Sequence, residues 1–128
     1  MRRKKKQVKI LRDDKLDKTQ EEIIQDIKKR IINLTGPLEE KHEENNIIFT
    51  TRGMRFATIK PEEDCVKVIC ELPYDRILDM SRKCEVEPYK AEDQTDVVTY
   101  KLETKFDVQY AVSIVQQSYK YRTRLKLD

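Results

Sequence analysis

The sequence predicts an α+β fold, a four-stranded antiparallel sheet with an N-terminal and a C-terminal helix packed on it. Two segments, one near each end of the chain, repeat apolar residues at helical spacing. Four short segments between them alternate apolar and polar residues or form brief apolar runs, as strands do. Because the strands are grouped between the helices, an antiparallel sheet is favoured over parallel β-α-β units. The predicted element order is α-β-β-β-β-α.

The first helix is predicted to begin at Thr19 and to end at Gly36-Pro37. Thr19 and Glu22 have the spacing of a capping box, in which each side chain accepts a hydrogen bond from the other residue's backbone N–H. Glycine followed by proline is a typical helix end. The apolar stripe after the cap consists of Ile23, Ile27, Ile31 and Leu34, widened by Ile24.

Strands are predicted at residues 47–51, 54–60, 65–72 and 97–102. The last strand is the clearest, because Val98 and Tyr100 alternate with neighbours such as Thr99, as in a sheet with one covered face. Residues 38–46 are expected to be a polar linker. Residues 72–95 are expected to be irregular, apart from one helical turn near Tyr74–Met80.

The second helix is predicted to follow Thr104 as its N-cap and to extend for about 17 residues. Asp107 lies in its first turn, where a negative charge is favourable. Its predicted buried face consists of Phe106, Tyr110, Ala111, Ile114, Val115 and Ser118.

The chain length and the charge distribution indicate one domain with basic ends. A chain of 128 residues fits a single domain. Residues 1–15 carry eight Lys and Arg against two Asp, whereas the whole chain has a net charge of only +3. We therefore predict a basic arm at residues 1–18, an α+β domain at 19–122 and a basic tail at 123–128.

Several classes of protein are excluded by the residues present. No apolar run approaches the ~20 residues that span a bilayer, so no membrane partner is predicted. One histidine and three cysteines without a C-x-x-C pair give no zinc site, and two isolated glycines give no phosphate-cradling loop. No cofactor or metal is predicted. Reduced thiols and the lack of an export signal predict a cytoplasmic protein.

Several stretches of the chain resemble a known family. The run Thr51–Lys60, the apolar strand after it, Leu72-Pro73-Tyr74-Asp75 and the helix from Phe106 to Tyr119 resemble a domain of unknown function. That domain occurs alone or at the C-terminal end of larger bacterial and archaeal proteins, some labelled predicted transport proteins and some carrying nuclease-type domains. The resemblance covers about residues 20–121. It implies an α+β fold similar to the MmcQ/YjbR-like group and a nucleic-acid-handling or defence context, with no assigned catalytic residue.

Two groups of residues are candidates for binding. Cations at both ends, with an interleaved aromatic, suit phosphate contact and base stacking. They are Arg2, Arg3, Lys4, Lys5, Lys6, Lys120, Tyr121, Arg122 and Arg124. A long irregular connection often carries function, and the one at residues 72–95 offers a rim for a partner or ligand. The rim consists of Tyr74, Arg76, Tyr89 and Lys90.

The sequence thus predicts a non-enzymatic binding or interaction module, accessory to nucleic-acid processing or defence. One alternative is a protein-partner module, either inhibitor-like or a homodimer through a sheet edge. The other alternative is a metal-dependent nuclease that uses an acidic turn. The residues of that turn are Glu62, Glu63 and Asp64, beside Lys67 and Glu71.

Overall fold

A computed structural model describes residues 20–33 and 36–124 of the chain. The first helix, α1, occupies residues 20–33 and buries three isoleucines of its predicted stripe, Ile23, Ile27 and Ile31. Thr19, and with it the predicted capping box, lies outside the described residues, as do Leu34 and the predicted basic arm. No helix in the described part of the chain is long and apolar enough to span a membrane.

The sheet has six antiparallel strands instead of the predicted four. They are β1 (Glu39–Glu43), β2 (Asn46–Thr51), β3 (Met54–Pro61), β4 (Val66–Glu71), β5 (Glu85–Glu87) and β6 (Val97–Leu102). Their spatial order is β1-β2-β3-β4-β6-β5, so β1 and β5 form the two edges. The four central strands match the predicted ones. The predicted α+β class is confirmed, and the strand number is corrected.

Both additional strands lie in segments that were expected to be irregular. All five residues of β1 are exposed and none is a strong hydrophobe, so the segment lacks the alternation that identifies a strand. β1 forms because its backbone pairs with β2, with Lys41 opposite Ile48. β5 has only three residues and pairs with β6.

The sheet has one face covered by helices and one face that neither helix covers. Val66, Val68 and Cys70 of β4 point toward the helices and are buried. Their neighbours Lys67 and Glu71 point to the other face. A register shift between Phe49 and Thr50 of β2 is accompanied by two consecutive residues of β3, Phe56 and Ala57, that both belong to the hydrophobic core.

The second helix, α2 (Val108–Arg124), runs along the covered face and packs on β2, β3, β4 and β6. It is preceded by a 3₁₀ turn, Lys105–Asp107, for which Thr104 and Asp107 form a capping box. The predicted N-cap is therefore confirmed. Phe106, predicted to be buried, is 94% exposed. A 3₁₀ turn has three residues per turn instead of 3.6, so Phe106 falls out of phase with the buried stripe of α2.

Candidate functional site

A basic groove lies where the C-terminal half of α2 meets the 3₁₀ turn Tyr74–Arg76. It has a volume of ≈ 400 Å³, and none of the described residues that line it is acidic. We call this feature the basic groove. It is lined by Arg76, Gln117, Lys120, Tyr121 and Arg124.

The position of Arg76 is fixed by the backbone of its turn. The Arg76 N–H donates to the carbonyl of Pro73 at 3.0 Å, and the Ile77 N–H donates to Tyr74 at 3.0 Å. The Tyr74 N–H in turn donates to the carboxylate of Asp96 at 2.8 Å. These bonds tie the turn to the segment that leads into β6.

Gln117 connects the two walls of the groove. Its Oε1 accepts a hydrogen bond from the backbone N–H of Leu78 at 2.6 Å, and its Nε2 donates to the Leu78 carbonyl at 3.3 Å. A side-chain amide that satisfies both backbone groups of one residue holds that residue against the helix. The distance between Arg76 and the cations of α2 is thereby constrained before any ligand binds.

Asp79 is the centre of the hydrogen bonds that order residues 74–84. Its carboxylate accepts from the phenols of Tyr74, at 2.7 Å, and Tyr110, and from the backbone N–H groups of Lys83 and Cys84, at 3.1 and 3.2 Å. Partial burial alone would raise the pKa of Asp79. The donors from Tyr110, Tyr74, Cys84 and Lys83 outweigh burial and lower this pKa to about 2. The segment is therefore organised around a carboxylate that is charged at neutral pH.

The groups around Asp79 are poor nucleophiles. The hydrogen bond to Asp79, together with burial, raises the pKa of Tyr74 to about 12. Burial and the nearby Asp79 charge raise the pKa of Cys84 to about 12. A reactive cysteine needs the opposite shift, because only the thiolate attacks. The hydrogen bonds around Asp79 are therefore suited to holding the loop in place, and they do not activate the thiol of Cys84.

We expect Cys84 to be the first cysteine alkylated in the native protein, because Cys65 and Cys70 are only 3% and 0% exposed. Its labelling should still be about tenfold or more slower than in the unfolded chain, since each unit of raised pKa lowers the thiolate fraction tenfold. Mass spectrometry of iodoacetamide-treated protein, native and in urea, measures both rates. Native labelling of Cys70 as fast as that of Cys84 would contradict the packing of β4.

Arg122 is separated from the other predicted cations of the C-terminal segment. It is 5% exposed, its Nη1 lies 2.7 Å from Asp93, and its Nη2 donates to the Glu71 carbonyl. The position of Arg122 gives no support to the prediction that it contacts nucleic acid, because its guanidinium binds Asp93 and Glu71 within the protein. At 100° per residue, a helix directs Lys120, Tyr121 and Arg124 to one side and Arg122 to another.

The predicted rim is only partly assembled at the groove. Arg76 lines it, whereas Tyr74 turns inward to Asp79. Tyr89 and Lys90 are exposed after β5 and do not line the groove. The N-terminal candidates Arg2, Arg3, Lys4, Lys5 and Lys6 lie outside the described residues. Gln117 was missed, although its spacing from residues 120, 121 and 124 places it on the same helix side.

The acidic turn does not form a metal centre in the described part of the chain. Glu62 lies 3.6 Å from Lys60, and Glu71 lies 3.4 Å from Arg55. No group of three or more His, Cys, Asp or Glu side chains among the described residues could hold a metal ion. The nuclease alternative thus gains no supporting geometry.

Comparison of the chain with family models, curated proteins and solved structures gives no match in any of the three. The resemblance to a domain of unknown function therefore stays a prediction. The fold and the site define a small α+β domain with a basic surface groove.

Proposed function

We propose that this chain is a non-enzymatic module that binds nucleic acid through its phosphate backbone, using the basic groove. One observation carries the proposal. Arg76, from a segment far from α2 in sequence, lies in one groove with Lys120 and Arg124 of α2, and no acidic residue in the described part of the chain lines it. Three cations and no carboxylate favour a ligand with several negative charges.

The side chains of the groove suit a single strand. A guanidinium donates two parallel hydrogen bonds to a phosphate, and Arg76 and Arg124 each offer one. Tyr121 supplies an aromatic ring. The Arg122 guanidinium lies over one face of this ring, 5.2 Å from the centroid, and a base is proposed to stack on the other face. Contacts of this kind fix the backbone and accept any base, so we propose binding with little sequence preference.

The groove is also organised in advance of binding. Gln117 makes two hydrogen bonds to the backbone of Leu78, and the Asp79 carboxylate accepts hydrogen bonds from Tyr74 and Cys84. Together these bonds position the backbone that carries Arg76. A binding surface that is already ordered loses less conformational entropy when the ligand arrives. The order of the turn before binding therefore favours a binding role for its residues over the alternative that they only face solvent.

Charge reversal at the groove tests the proposal. We expect Arg76→Glu and Arg124→Glu each to weaken binding of a single-stranded oligonucleotide by about tenfold or more at low salt. Each should also reduce the slope of log affinity against log salt by about 0.7 for every phosphate that the variant no longer neutralises. Fluorescence anisotropy of a labelled 20-mer over a salt series measures both quantities.

Lys90→Glu is the matched control, because it makes the same change of charge at an exposed residue outside the groove. The groove is not the site if Lys90→Glu weakens binding as much as Arg124→Glu does. Tyr121→Leu tests the stacking contact separately from the charges. It should lower the affinity while leaving the salt slope unchanged, since it removes stacking and no charge.

A protein partner is the second candidate, favoured by exposed apolar side chains beside the groove. Leu78, held against Gln117, is 67% exposed, and Met80 is 79% exposed. Exposed apolar residues next to arginines are typical of protein interfaces. The edge homodimer has less support, because the edge strand β1 carries charges that oppose strand pairing. Light scattering, which measures the mass of the protein in solution, tests whether this homodimer forms.

A further inference from the structure

Three lysines lie side by side on the sheet face that neither helix covers. In the strand register, Lys60 of β3 is opposite Lys67 of β4, and Lys67 is opposite Lys101 of β6. Side chains that are opposite each other in adjacent strands point to the same face. We call this feature the lysine row.

The lysine row concentrates like charge at the centre of the sheet. Directly opposed like charges destabilise a sheet, and Lys67 has one such neighbour on each side. Glu62 lies 3.6 Å from Lys60, and Glu103 lies 3.8 Å from Lys101. Among the described residues, no carboxylate comes within ion-pair distance of Lys67. The two outer pairs are exposed, so they contribute little and are easily exchanged for another anion.

We propose that the lysine row binds the backbone of duplex nucleic acid, as a second surface that does not depend on the basic groove. Neighbouring strands are about 4.8 Å apart, so the three lysine stems span about 10 Å. One strand of a duplex has a phosphate for about every 3.4 Å of axis, so long lysine side chains that start from this span can reach several successive phosphates. Flexible lysine stems carrying point charges follow such a backbone without exact geometry.

The side chains around the lysine row favour a duplex over a single strand. The next cross-strand row consists of Thr58, Ile69 and Thr99. The strand residues on this face include no aromatic side chain on which an unpaired base could stack. The bases of a duplex are already stacked on each other, so a duplex needs only backbone contacts here. Glu85 and Glu87 of β5 are opposite Thr99 and Val97 and so share this face, where their charges would repel a polyanion from the β5 edge.

The two surfaces are separate in the fold. The lysine row lies near the end of β6 that leads into α2, on the face opposite the helices. The basic groove lies at the C-terminal half of α2, and a helix of 17 residues is about 25 Å long. One short stretch of backbone cannot occupy both, so each can be removed by substitution without the other.

The test uses a blunt duplex of 20 base pairs and the full chain with Lys60→Gln, Lys67→Gln and Lys101→Gln combined. A matched control combines Lys29→Gln, Lys83→Gln and Lys90→Gln, three exposed lysines away from the row. We expect the row variant to reduce the salt slope for the duplex by about 2 to 3, at about 0.9 per neutralised phosphate. The control should change that slope by less than about 1.

The thermal midpoint of the row variant should equal or exceed that of the wild type, because the substitutions remove like-charge repulsion. A loss of binding is then not a loss of folding. The proposal that the lysine row binds a duplex is wrong if the row variant and the control variant have the same salt slope for duplex binding. It is also wrong if the wild type does not bind the duplex. The proposal is supported if the row variant loses the duplex slope but keeps single-strand binding, while Arg124→Glu weakens single-strand binding by about tenfold or more.

Discussion

Replacing Tyr100 by alanine is expected to lower the free energy of unfolding by about 3 to 5 kcal/mol, the range for removing a buried aromatic ring. Tyr100 is 2% exposed, and its ring centroid lies 4.9 Å from that of Tyr110. Its hydroxyl donates to Asp107 at 3.2 Å, so the residue links β6 to the capping box before α2. Urea denaturation followed by circular dichroism measures the change.

Two control variants show whether the loss of stability in Tyr100→Ala comes from removing the buried ring. Tyr100→Phe keeps the ring and removes only the hydrogen bond to the Asp107 carboxylate, which predicts a loss of about 1.5 to 3 kcal/mol, the range for a hydrogen bond to a charged group. Tyr89→Ala removes a tyrosine that is 79% exposed and should change stability by less than about 0.5 kcal/mol. The position of Tyr100 in the core would be wrong if Tyr100→Ala were no more destabilising than Tyr89→Ala.

The elements that could be predicted from the sequence are those that bury a regular apolar pattern. Val98, Tyr100 and Leu102 alternate through β6, and all three are buried. β1 and β5 bury little, so their existence depends on backbone pairing with a neighbour already in place. Such pairing is a tertiary effect, and hydrophobic periodicity carries no signal for it.

The candidate site was predictable in its residue types and not in its arrangement. Lys120, Tyr121 and Arg124 were identified from their composition, whereas their meeting with Arg76 depends on how residues 74–84 fold back on α2. Arg122 was grouped with these residues because aromatics and cations alternate in the sequence, whereas the helical period leaves it only 5% exposed. The lysine row was missed because cross-strand register cannot be derived from a single strand.

Asp79→Asn is expected to release the segment that positions Arg76. The amide keeps the size of the side chain but presents N–H donors where Tyr74, Tyr110 or the backbone N–H groups of Lys83 and Cys84 now donate. Hydrogen bonds to a charged group contribute about 1.5 to 3 kcal/mol each, so the local loss should reach at least about 2 kcal/mol. Faster amide hydrogen exchange at Lys83 and Cys84, with faster alkylation of Cys84, measures it.

The same carboxylate predicts how the segment responds to acid. Because the folded pKa of Asp79 is about 2 and its ordinary value is 3.8, its stabilisation is complete above about pH 4 and is lost as the pH falls toward 2. Wild-type exchange at Cys84 should therefore accelerate relative to Asp79→Asn over this range. Asp75→Asn, an exposed acid in the same segment, should behave as the wild type does. An identical acid response in wild type and Asp79→Asn would mean that another group orders the segment.

The affinity of Asp79→Asn for the single-stranded oligonucleotide at neutral pH tests whether this segment matters for binding. A displaced Arg76 should weaken binding, although the charges of the groove stay the same.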